Sequence, residues 1–314
     1  MRTRPLAIAA ILVMSLVAWG ATGAPPSSGS PRPPGATVTV AAAGDIACDP
    51  DAGNYHDGRG TGTTCQMRAT SDLLMAMRPD AVLALGDNQY ENGALARFLA
   101  SYGPTWGRLK AVTRPVVGNH EYLTRDAAGY FSYFGAAAGD PATGYYSFDL
   151  GSWHLVAINS NCGQAGGCGA GSPQEAWLRA DLAAHPARCT LAYWHHPRFS
   201  SGEWGSHPSM TAIWQALVDY HAEIVLSGHD HDYERFAPQD ASGNLDSSDG
   251  VRQFVVGTGG RNHYATGKAI VHSVVRNAST FGVLKLTLRP TGYDWEFVPV
   301  AGGAFTDAGS ARCH

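Results

Sequence analysis

The chain has 314 residues, of which 44% are hydrophobic, so it is long enough to bury a substantial core. Only 15% of the residues are charged, and the 38 glycines and 18 prolines indicate a loop-rich globular fold rather than a coiled coil or a collagen-like fibre. The formal net charge of −4 and the absence of a lysine- or arginine-rich run argue against a nucleic-acid-binding surface, which requires a basic footprint.

The first residues have the layout of a secretory signal peptide. Arg2 and Arg4 precede an uncharged, mostly apolar run at residues 5–19, which is shorter than the ~20 residues that span a bilayer. We therefore expect a signal peptide at residues 1–24, a Pro/Ser/Gly-rich linker at 25–36 and a single domain at 37–314. We expect no membrane span after signal removal and a secreted or extracytoplasmic protein, whose oligomeric state the sequence leaves open.

Six cysteines in an exported chain predict disulfide bonds rather than free thiols. No Cys-x-x-Cys pair supports a zinc cluster instead. Sequence alone does not select among the possible pairings, but short loops are the least costly to close. On that basis we expect the bonds Cys48–Cys65, Cys162–Cys168 and Cys189–Cys313.

Short apolar runs alternate with amphipathic segments from about residue 37 onward. The apolar runs predict strands at residues 38–43, 81–85, 115–117, 145–150, 153–158, 190–194, 223–226, 253–256, 282–288 and 293–298. Amphipathic segments predict helices at 65–77, 173–184 and 208–220. Strands that alternate with helices predict a largely parallel sheet, and the later strands, which follow one another directly, predict antiparallel additions.

Five of the predicted strands are followed by polar residues that bind metals well. These segments are Gly44-Asp45, Gly86-Asp87-Asn88-Gln89-Tyr90, Gly118-Asn119-His120-Glu121, His195-His196-Pro197 and Gly228-His229-Asp230-His231. Each segment alone is also typical of a helix cap or a turn, but five in register at strand ends predict one shared site. Oxygen donors mixed with imidazoles suit Zn, Fe or Mn, and so many donors exceed the four that one tetrahedral ion uses. The sequence therefore predicts two metal ions.

These motifs resemble the signature of the calcineurin-like metallophosphoesterases and, among them, most nearly that of the purple acid phosphatases. The GDxxY motif of the purple enzymes is similar to Gly86-Asp87-Asn88-Gln89-Tyr90, and their GHxHxYER motif is similar to residues 228–235. The resemblance covers about residues 45–264. It implies an α/β fold, namely a four-layer α/β/β/α sandwich of two mixed β-sheets flanked by helices, with the metals at the strand-end edge.

The resemblance also implies a ligand set. It assigns to the first metal ion Asp45, Asp87, Tyr90 and His231, and to the second Asp87, as the bridge, together with Asn119, His195 and His229. His196 competes with His195 for the role of ligand after its strand.

One departure from the wider superfamily bears on the metals. The common D-x-H motif is replaced by Asp45-Ile46-Ala47, and Tyr90 can compensate for the missing histidine as a phenolate. A free phenol titrates near pH ~10, so phenolate binding requires a strong Lewis acid. The resemblance thus implies Fe(III) in the Tyr90 site and Zn, Fe or Mn in the second site.

The expected function is hydrolysis of a small-molecule phosphomonoester by attack of a metal-bound hydroxide. His120 follows a candidate ligand and is expected to assist the leaving group. His207 and His263 are weaker candidates for substrate contacts, because His207 is equally suited to cap a helix and His263 lies in a glycine-rich turn. Two alternatives stay open, a phosphodiesterase acting on nucleotides or glycerophosphodiesters with the same metals, and a secreted binding protein with a vestigial centre.

Overall fold

The computed structural model describes Met1 and residues 35–314. Apart from Met1, Gly35 and Ala36, the expected signal peptide and linker at residues 1–36 lie outside the described residues. Within the described part of the chain, no helix is both long and apolar enough to span a bilayer.

Thirteen strands lie within residues 35–314. They are β1 (Val38–Ala43), β2 (Ala81–Leu85), β3 (Thr113–Val116), β4 (Tyr146–Leu150), β5 (Trp153–Ala157), β6 (Cys189–Tyr193), β7 (Ile224–Ser227), β8 (Tyr233–Phe236), β9 (Arg252–Val256), β10 (Ser273–Asn277), β11 (Gly282–Arg289), β12 (Gly292–Pro299) and β13 (Ala308–Arg312). All ten strands expected from the sequence are present to within one or two residues at each end, and β8, β10 and β13 are additional.

Five α-helices lie within the same residues. They are α1 (Met67–Met77), α2 (Leu95–Arg97), α3 (Ala128–Phe134), α4 (Pro173–Ala184) and α5 (Thr211–Asp219). Shorter helical turns occur at His56–Gly58, Phe98–Tyr102, Trp106–Val112, Glu121–Leu123, Arg125–Ala127, Gly135–Ala138 and Pro208–Met210. Helix α4 begins as its sequence predicts, because Ser172 Oγ accepts a hydrogen bond from Glu175 N and Pro173 occupies the first turn.

The strands form two mixed β-sheets. The first has the order β13-β12-β11-β1-β2-β3, in which β1, β2 and β3 are parallel and the other pairs antiparallel. The second has the order β10-β8-β9-β7-β6-β5-β4, in which β5, β6, β7 and β9 are parallel. The late strands β11 to β13 join antiparallel, as expected for strands that follow one another without a helix.

Helices cover the outer faces of the paired sheets. One buried cluster joins residues of both sheets, including Val40, Leu83 and Phe254, with Leu74 of α1. A second cluster packs α4 and α5 against the second sheet, with Trp214 fully buried among its side chains. The four-layer α/β/β/α sandwich predicted from the sequence is confirmed.

Three disulfide bonds stabilise the described part of the chain, and all three are those expected. Cys48–Cys65 and Cys162–Cys168 close short loops of sequence separation 17 and 6. Cys189–Cys313 has a separation of 124 and ties the start of β6 to the residue that follows β13.

Candidate metal centre

The candidate site lies at the edge where the parallel strands of both sheets end. The loops after β1, β2 and β3 reach it from the first sheet, and those after β6, β7 and β9 reach it from the second. Backbone hydrogen bonds join the two sets of loops, because Gly44 N donates to Val256 O at 2.9 Å and Gly259 N donates to Gly44 O at 2.9 Å. Parallel strands of one sheet end on the same side, so the five sequence motifs meet at one place.

Three candidate ligands have left-handed backbone conformations, which are uncommon for residues other than glycine. The φ angle is 60° at Asp45, 45° at Asp87 and 72° at His229. Each such conformation costs roughly 1–3 kcal/mol and persists only where the surrounding structure enforces it. A hydrogen bond from His229 N to Asp45 Oδ2 (2.8 Å) holds these two residues in their relative positions. Their clustering at one edge is typical of a functional site.

Two glycines allow the loops to approach this closely. A Cβ atom on Gly86, whose φ angle is 85°, would lie 2.6 Å from His195 Nδ1. A Cβ atom on Gly118 would lie 2.2 Å from Asp87 N. Both distances are far below van der Waals contact, so a larger residue at either position would displace a candidate ligand.

Tyr90 lies at the centre of the first group of candidate ligands. Its Oη is 2.9 Å from Asp45 Oδ1, 3.0 Å from Asp87 Oδ2 and 2.9 Å from His231 Nε2. All four side chains are at most 2% exposed. A phenol has a single proton, so it satisfies one of these three neighbours and leaves the others facing an oxygen lone pair.

His195 lies at the centre of the second group. Its Nε2 is 3.3 Å from Asp87 Oδ2, 3.1 Å from Asn119 Oδ1 and 3.2 Å from His229 Nδ1. Asp87 therefore belongs to both groups through one carboxylate oxygen, the position expected of a bridging ligand.

Hydrogen bonds from outside the two groups orient the histidines. His195 Nδ1 lies 2.9 Å from the carbonyl oxygen of Leu85, which only accepts hydrogen bonds, so Nδ1 carries the proton when the ring is neutral. His231 Nδ1 lies 3.1 Å from Asn262 Oδ1 in the same arrangement. In both rings the Nε2 lone pair then points into the site. Metal-binding histidines are commonly held this way by an acceptor on the other ring nitrogen.

The charged groups around Tyr90 favour the binding of a cation. Burial, and then the negative charges of Asp45 and Asp87, raise the pKa of Tyr90 well above its ordinary value, so the phenol keeps its proton when no cation is bound. A cation between these oxygens would neutralise both buried carboxylates and favour the phenolate. The ligand-to-ligand distances also match the spacing of about 3 Å that metal–ligand bonds of ~2.0–2.2 Å produce.

A metal ion would take the place of a proton at His195. Burial acts to lower the pKa of His195, but the neighbouring carboxylate of Asp87 outweighs burial and raises it to about 9. Burial acts to raise the pKa of Asp87, but its charge interaction and hydrogen bond with His195 outweigh burial and lower it. Burial also lowers the pKa of His229, with a further contribution from the charge of His195. The neutral His229 that results offers a lone pair, as metal binding requires.

His120 lies beside the two groups rather than within them. Its Nδ1 lies 2.6 Å from the carbonyl oxygen of Glu91, and its Nε2 lies 3.8 Å from Asp87 Oδ2. Its backbone N–H donates to Asp87 Oδ1 at 2.9 Å, which helps to hold the bridging carboxylate. The ring is partly exposed and packs 4.3 Å from the ring of Tyr90.

Glu121, the last residue of the Gly118-Asn119-His120-Glu121 segment, supports the site from behind the candidate ligands. Its carboxylate is fully buried and accepts the backbone N–H groups of Gln89 and Gly118 at 3.1 and 2.7 Å. It thereby ties the loop after β2 to the loop after β3. Burial, reinforced by the charge of Asp87, raises the pKa of Glu121 to about 8.

A small cavity of about 40 Å³ opens onto both groups. Its lining consists of Asp87, Tyr90, Asn119, His120, Trp204, His229, His231 and Tyr264. Trp204 is 58% exposed and forms an outer wall. The ring of Tyr264 stacks on His231 at 3.9 Å. The sequence pointed to the loop that carries Tyr264, but not to this residue.

The two weaker substrate candidates have different surroundings. His207 precedes the turn Pro208–Met210 but makes no side-chain capping bond, and its ring lies 4.8 Å from His196 and 5.2 Å from His229. Like His207, His263 is not among the residues that line the cavity. Its ring packs on Phe281 at 4.1 Å, and its Nδ1 lies 3.0 Å from the backbone oxygen of His231. The structure thus places the ring of His207 beside the candidate ligand His229, and it places Nδ1 of His263 against the backbone oxygen of His231.

His196, the competing ligand, lies next to the second group. Its Nδ1 is 2.9 Å from Ser160 Oγ, and its ring is 4.4 Å from that of His229. Burial and the charge of His195 lower the pKa of His196 well below its ordinary value, so the ring is neutral.

Comparison with known proteins agrees with this fold and this site. The family model of the calcineurin-like phosphoesterases matches residues 38–233, which contain all seven candidate ligands. The chain therefore belongs to the calcineurin-like phosphoesterase family. Among its relatives is purple acid phosphatase 15 of Arabidopsis thaliana, which is 28% identical over 211 residues. That match covers 55% of this chain and 39% of the plant protein, so this chain spans less than half of that relative's length.

Solved structures share the fold at lower sequence identity. A purple acid phosphatase from yellow lupin seeds, PPD1, superimposes with a TM-score of 0.70 at 18% identity, over 88% of this chain and 54% of the lupin chain. GAP50 of Plasmodium, described as the anchor in the inner membrane complex, superimposes with a TM-score of 0.63 at 14% identity, over 88% and 89% of the two chains. The family resemblance stated from the sequence is confirmed, and these two structures carry the fold alone.

Proposed function

We propose that this protein is a metal-dependent phosphoesterase that hydrolyses phosphomonoesters at a binuclear centre. One observation carries the proposal. Asp87 contacts both Tyr90 Oη and His195 Nε2 through the same carboxylate oxygen, so two sets of buried metal-binding side chains share one ligand. A binding protein with a vestigial centre would not need both sets of candidate ligands to be complete. Nor would it need hydrogen bonds from Leu85 and Asn262 to orient His195 and His231.

In this proposal Asp45, Asp87, Tyr90 and His231 hold the first metal ion, and Asp87, Asn119, His195 and His229 hold the second. The phenolate of Tyr90 is a hard, charged ligand and favours Fe(III) in the first position, while the imidazoles and the amide suit Zn, Fe or Mn in the second. When bound, such a pair of ions activates water at neutral pH and stabilises the charge on phosphoryl oxygens.

His120 protonates the oxygen of the leaving group. The carbonyl of Glu91 holds the Nδ1 proton, so Nε2 is the ring nitrogen available to the substrate. The ring lines the cavity and is partly exposed, so it can exchange its proton with solvent between turnovers. A positioned acid of this kind typically contributes about 10²–10⁴-fold to the rate.

Trp204 lines the cavity, and the ring of His207 lies 5.2 Å from that of the candidate ligand His229, so we place both beside the bound ester. Since the cavity is only about 40 Å³, most of the substrate must lie at its mouth, where Trp204 and Tyr264 form part of the lining. This arrangement favours a small phosphomonoester, because a diester would need a second groove for its other substituent.

Export from the cytoplasm is part of the same proposal. The three disulfide bonds involve all six cysteines, which is typical of proteins that fold in an oxidising compartment. The apolar run near the N-terminus has the length of a signal peptide.

The test compares 4-nitrophenyl phosphate with bis(4-nitrophenyl) phosphate on the purified, metal-loaded protein. We expect kcat/KM at least about tenfold higher for the monoester. A higher value for the diester would contradict the monoester assignment while leaving the metal centre intact. Hydrolysis of neither, with metals bound, would contradict the enzymatic function itself.

A further inference from the structure

A second group of histidines and carboxylates lies at the other end of the second sheet. His154 is near the start of β5, whereas the candidate metal centre lies beyond the ends of the strands that run parallel to it. Asp181 belongs to the last turn of α4, and His185 caps that helix. One ligand atom from each of these three residues lies within 4.8 Å of the other two.

Carboxylates surround the buried ring of His154. Its Nε2 is 2.8 Å from Asp181 Oδ2, and its Nδ1 is 2.8 Å from Asp149 Oδ1. The side chain of His154 is only 1% exposed and that of Asp181 only 8%. Ser147 Oγ donates to the second oxygen of Asp181 at 2.7 Å and so fixes the orientation of that carboxylate.

His185 closes the group on its solvent side. Residues 181 and 185 are four apart in sequence, so their side chains lie on one face of the helix end. His185 Nδ1 is 3.4 Å from Asp181 Oδ1, and its ring is stacked on that of His154 with centroids 4.7 Å apart. His185 Nδ1 also lies 2.8 Å from the backbone oxygen of Asp181, and the ring gives up this contact when it turns to bind an ion. Since the side chain is 44% exposed, it can turn in this way and an ion can enter from solvent.

We propose that His154, Asp181 and His185 bind a zinc ion that joins α4 to the β4–β5 edge of the second sheet. Two imidazoles and one carboxylate are a ligand set that Zn²⁺ accepts readily, with water in the fourth position. Asp149 accepts a hydrogen bond from the Nδ1–H group of His154, so Nε2 is the ring nitrogen that binds the metal. Binding displaces the proton between His154 Nε2 and Asp181 Oδ2, and this proton passes to solvent.

The site would strengthen a weak edge of the molecule. Strand β4 is the last strand of its sheet, so only β5 pairs with it. Asp149 and Ser147 of β4 reach the group from one side, and the end of α4 reaches it from the other. A zinc ion would hold the end of α4 to β5 and, through the hydrogen bonds of Asp149 and Ser147, to β4. An ion that binds only the folded state stabilises that state.

The experiment measures zinc content and the zinc-dependent shift in melting temperature. Wild type, His185→Ala and a control, His221→Ala, are equilibrated with micromolar zinc, desalted and analysed for zinc per chain. His221 is an exposed histidine 3.2 Å from Asp249, so the control removes a similar histidine–carboxylate pair elsewhere. His185 is also partly exposed, so its replacement spares the core.

We expect His185→Ala to carry one zinc fewer than wild type and the control, and to lose the part of the melting-temperature rise that zinc causes in them. Equal zinc in all three proteins would overturn the proposal. Asp149→Asn provides a second variant, for which we expect roughly 10–100-fold weaker zinc binding at this site; unchanged affinity would overturn the role of Asp149. The readout is a difference between variants, so it does not depend on the metals or activity of the strand-end centre.

Discussion

Replacing His120 with alanine would remove an imidazole from the cavity while leaving the candidate ligands in place. The backbone N–H of His120, which donates to Asp87 Oδ1 at 2.9 Å, is unaffected by the substitution. The side chain loses its hydrogen bond to the carbonyl of Glu91 and its contact with the ring of Tyr90. None of the distances among the seven candidate ligands involves the imidazole of His120, so the metal content is expected to stay the same.

The substitution is expected to reduce the rate more than it reduces the stability of the fold. Loss of one hydrogen bond from a partly exposed ring costs about 0.5–1.5 kcal/mol of stability. Loss of a general acid lowers the rate about 10²–10⁴-fold, which corresponds to roughly 2.7–5.5 kcal/mol in activation free energy. The effect on kcat should therefore exceed any effect that partial unfolding produces.

The dependence on the leaving group identifies the role of His120. An alkyl phosphate releases a basic alkoxide that needs a proton, whereas 4-nitrophenolate leaves with little assistance. We expect His120→Ala to slow the alkyl ester at least about tenfold more than the nitrophenyl ester. His120→Asn is the matched control, since its amide can still donate to Glu91 but cannot supply a proton; it should behave like alanine. Equal losses on both substrates, or unchanged turnover, would refute the assignment.

Two further predictions concern stability. Replacing Cys189 and Cys313 with serine opens a loop of 124 residues and should lower the free energy of unfolding by about 5 kcal/mol, against about 2 kcal/mol for the six-residue separation of Cys162 and Cys168. Urea denaturation of the two double variants measures this, and equal losses would contradict the loop-entropy argument. Burial raises the pKa of Glu223 to about 7 from its ordinary value of 4.5, so the folded state favours the protonated acid. The contribution of Glu223 to stability should thus fall by up to about 3 kcal/mol as the pH rises from 4.5 to about 7. Glu223→Gln should remove that fall in thermal melts taken across this range; an unchanged pH profile would contradict it.

The strands that the sequence predicted are those whose burial follows from their own composition. Strand β2 is a continuous run of apolar residues, so its pattern alone identifies it. Strand β13 reads Ala-Gly-Ser-Ala-Arg and has no such signal. It forms because its backbone pairs with β12 and the adjacent Cys313 is bonded to Cys189. Pairing with a distant strand overrides local preference here.

Strand β8 was missed for a different reason. Its residue Glu234 is charged yet fully buried, because its carboxylate accepts hydrogen bonds from Ser201 and Ser273. Such partners are remote in sequence, so the apolar pattern does not reveal the strand.

The candidate site, like the fold, could be predicted from the sequence only in part. The ligand motifs follow strand ends directly, so their convergence could be predicted from the order of strands. The groups that orient the ligands could not be predicted from the sequence. Leu85 contributes only a backbone oxygen to His195, and Asn262 reaches His231 from a loop 31 residues away. Tyr264 was missed because stacking on His231 depends on how that loop folds back over the site.

Asp87 is proposed to bridge two metal ions at a centre that hydrolyses phosphate esters. The most direct test is elemental analysis and phosphatase activity on the same preparations of wild type and Asp87→Ala, each checked by circular dichroism for an intact fold. We predict that the variant carries two metal ions per chain fewer than wild type, including the ion proposed to be bound by Tyr90, and no longer hydrolyses 4-nitrophenyl phosphate. A folded variant that keeps the metal content of wild type would show that Asp87 does not bridge the two ions.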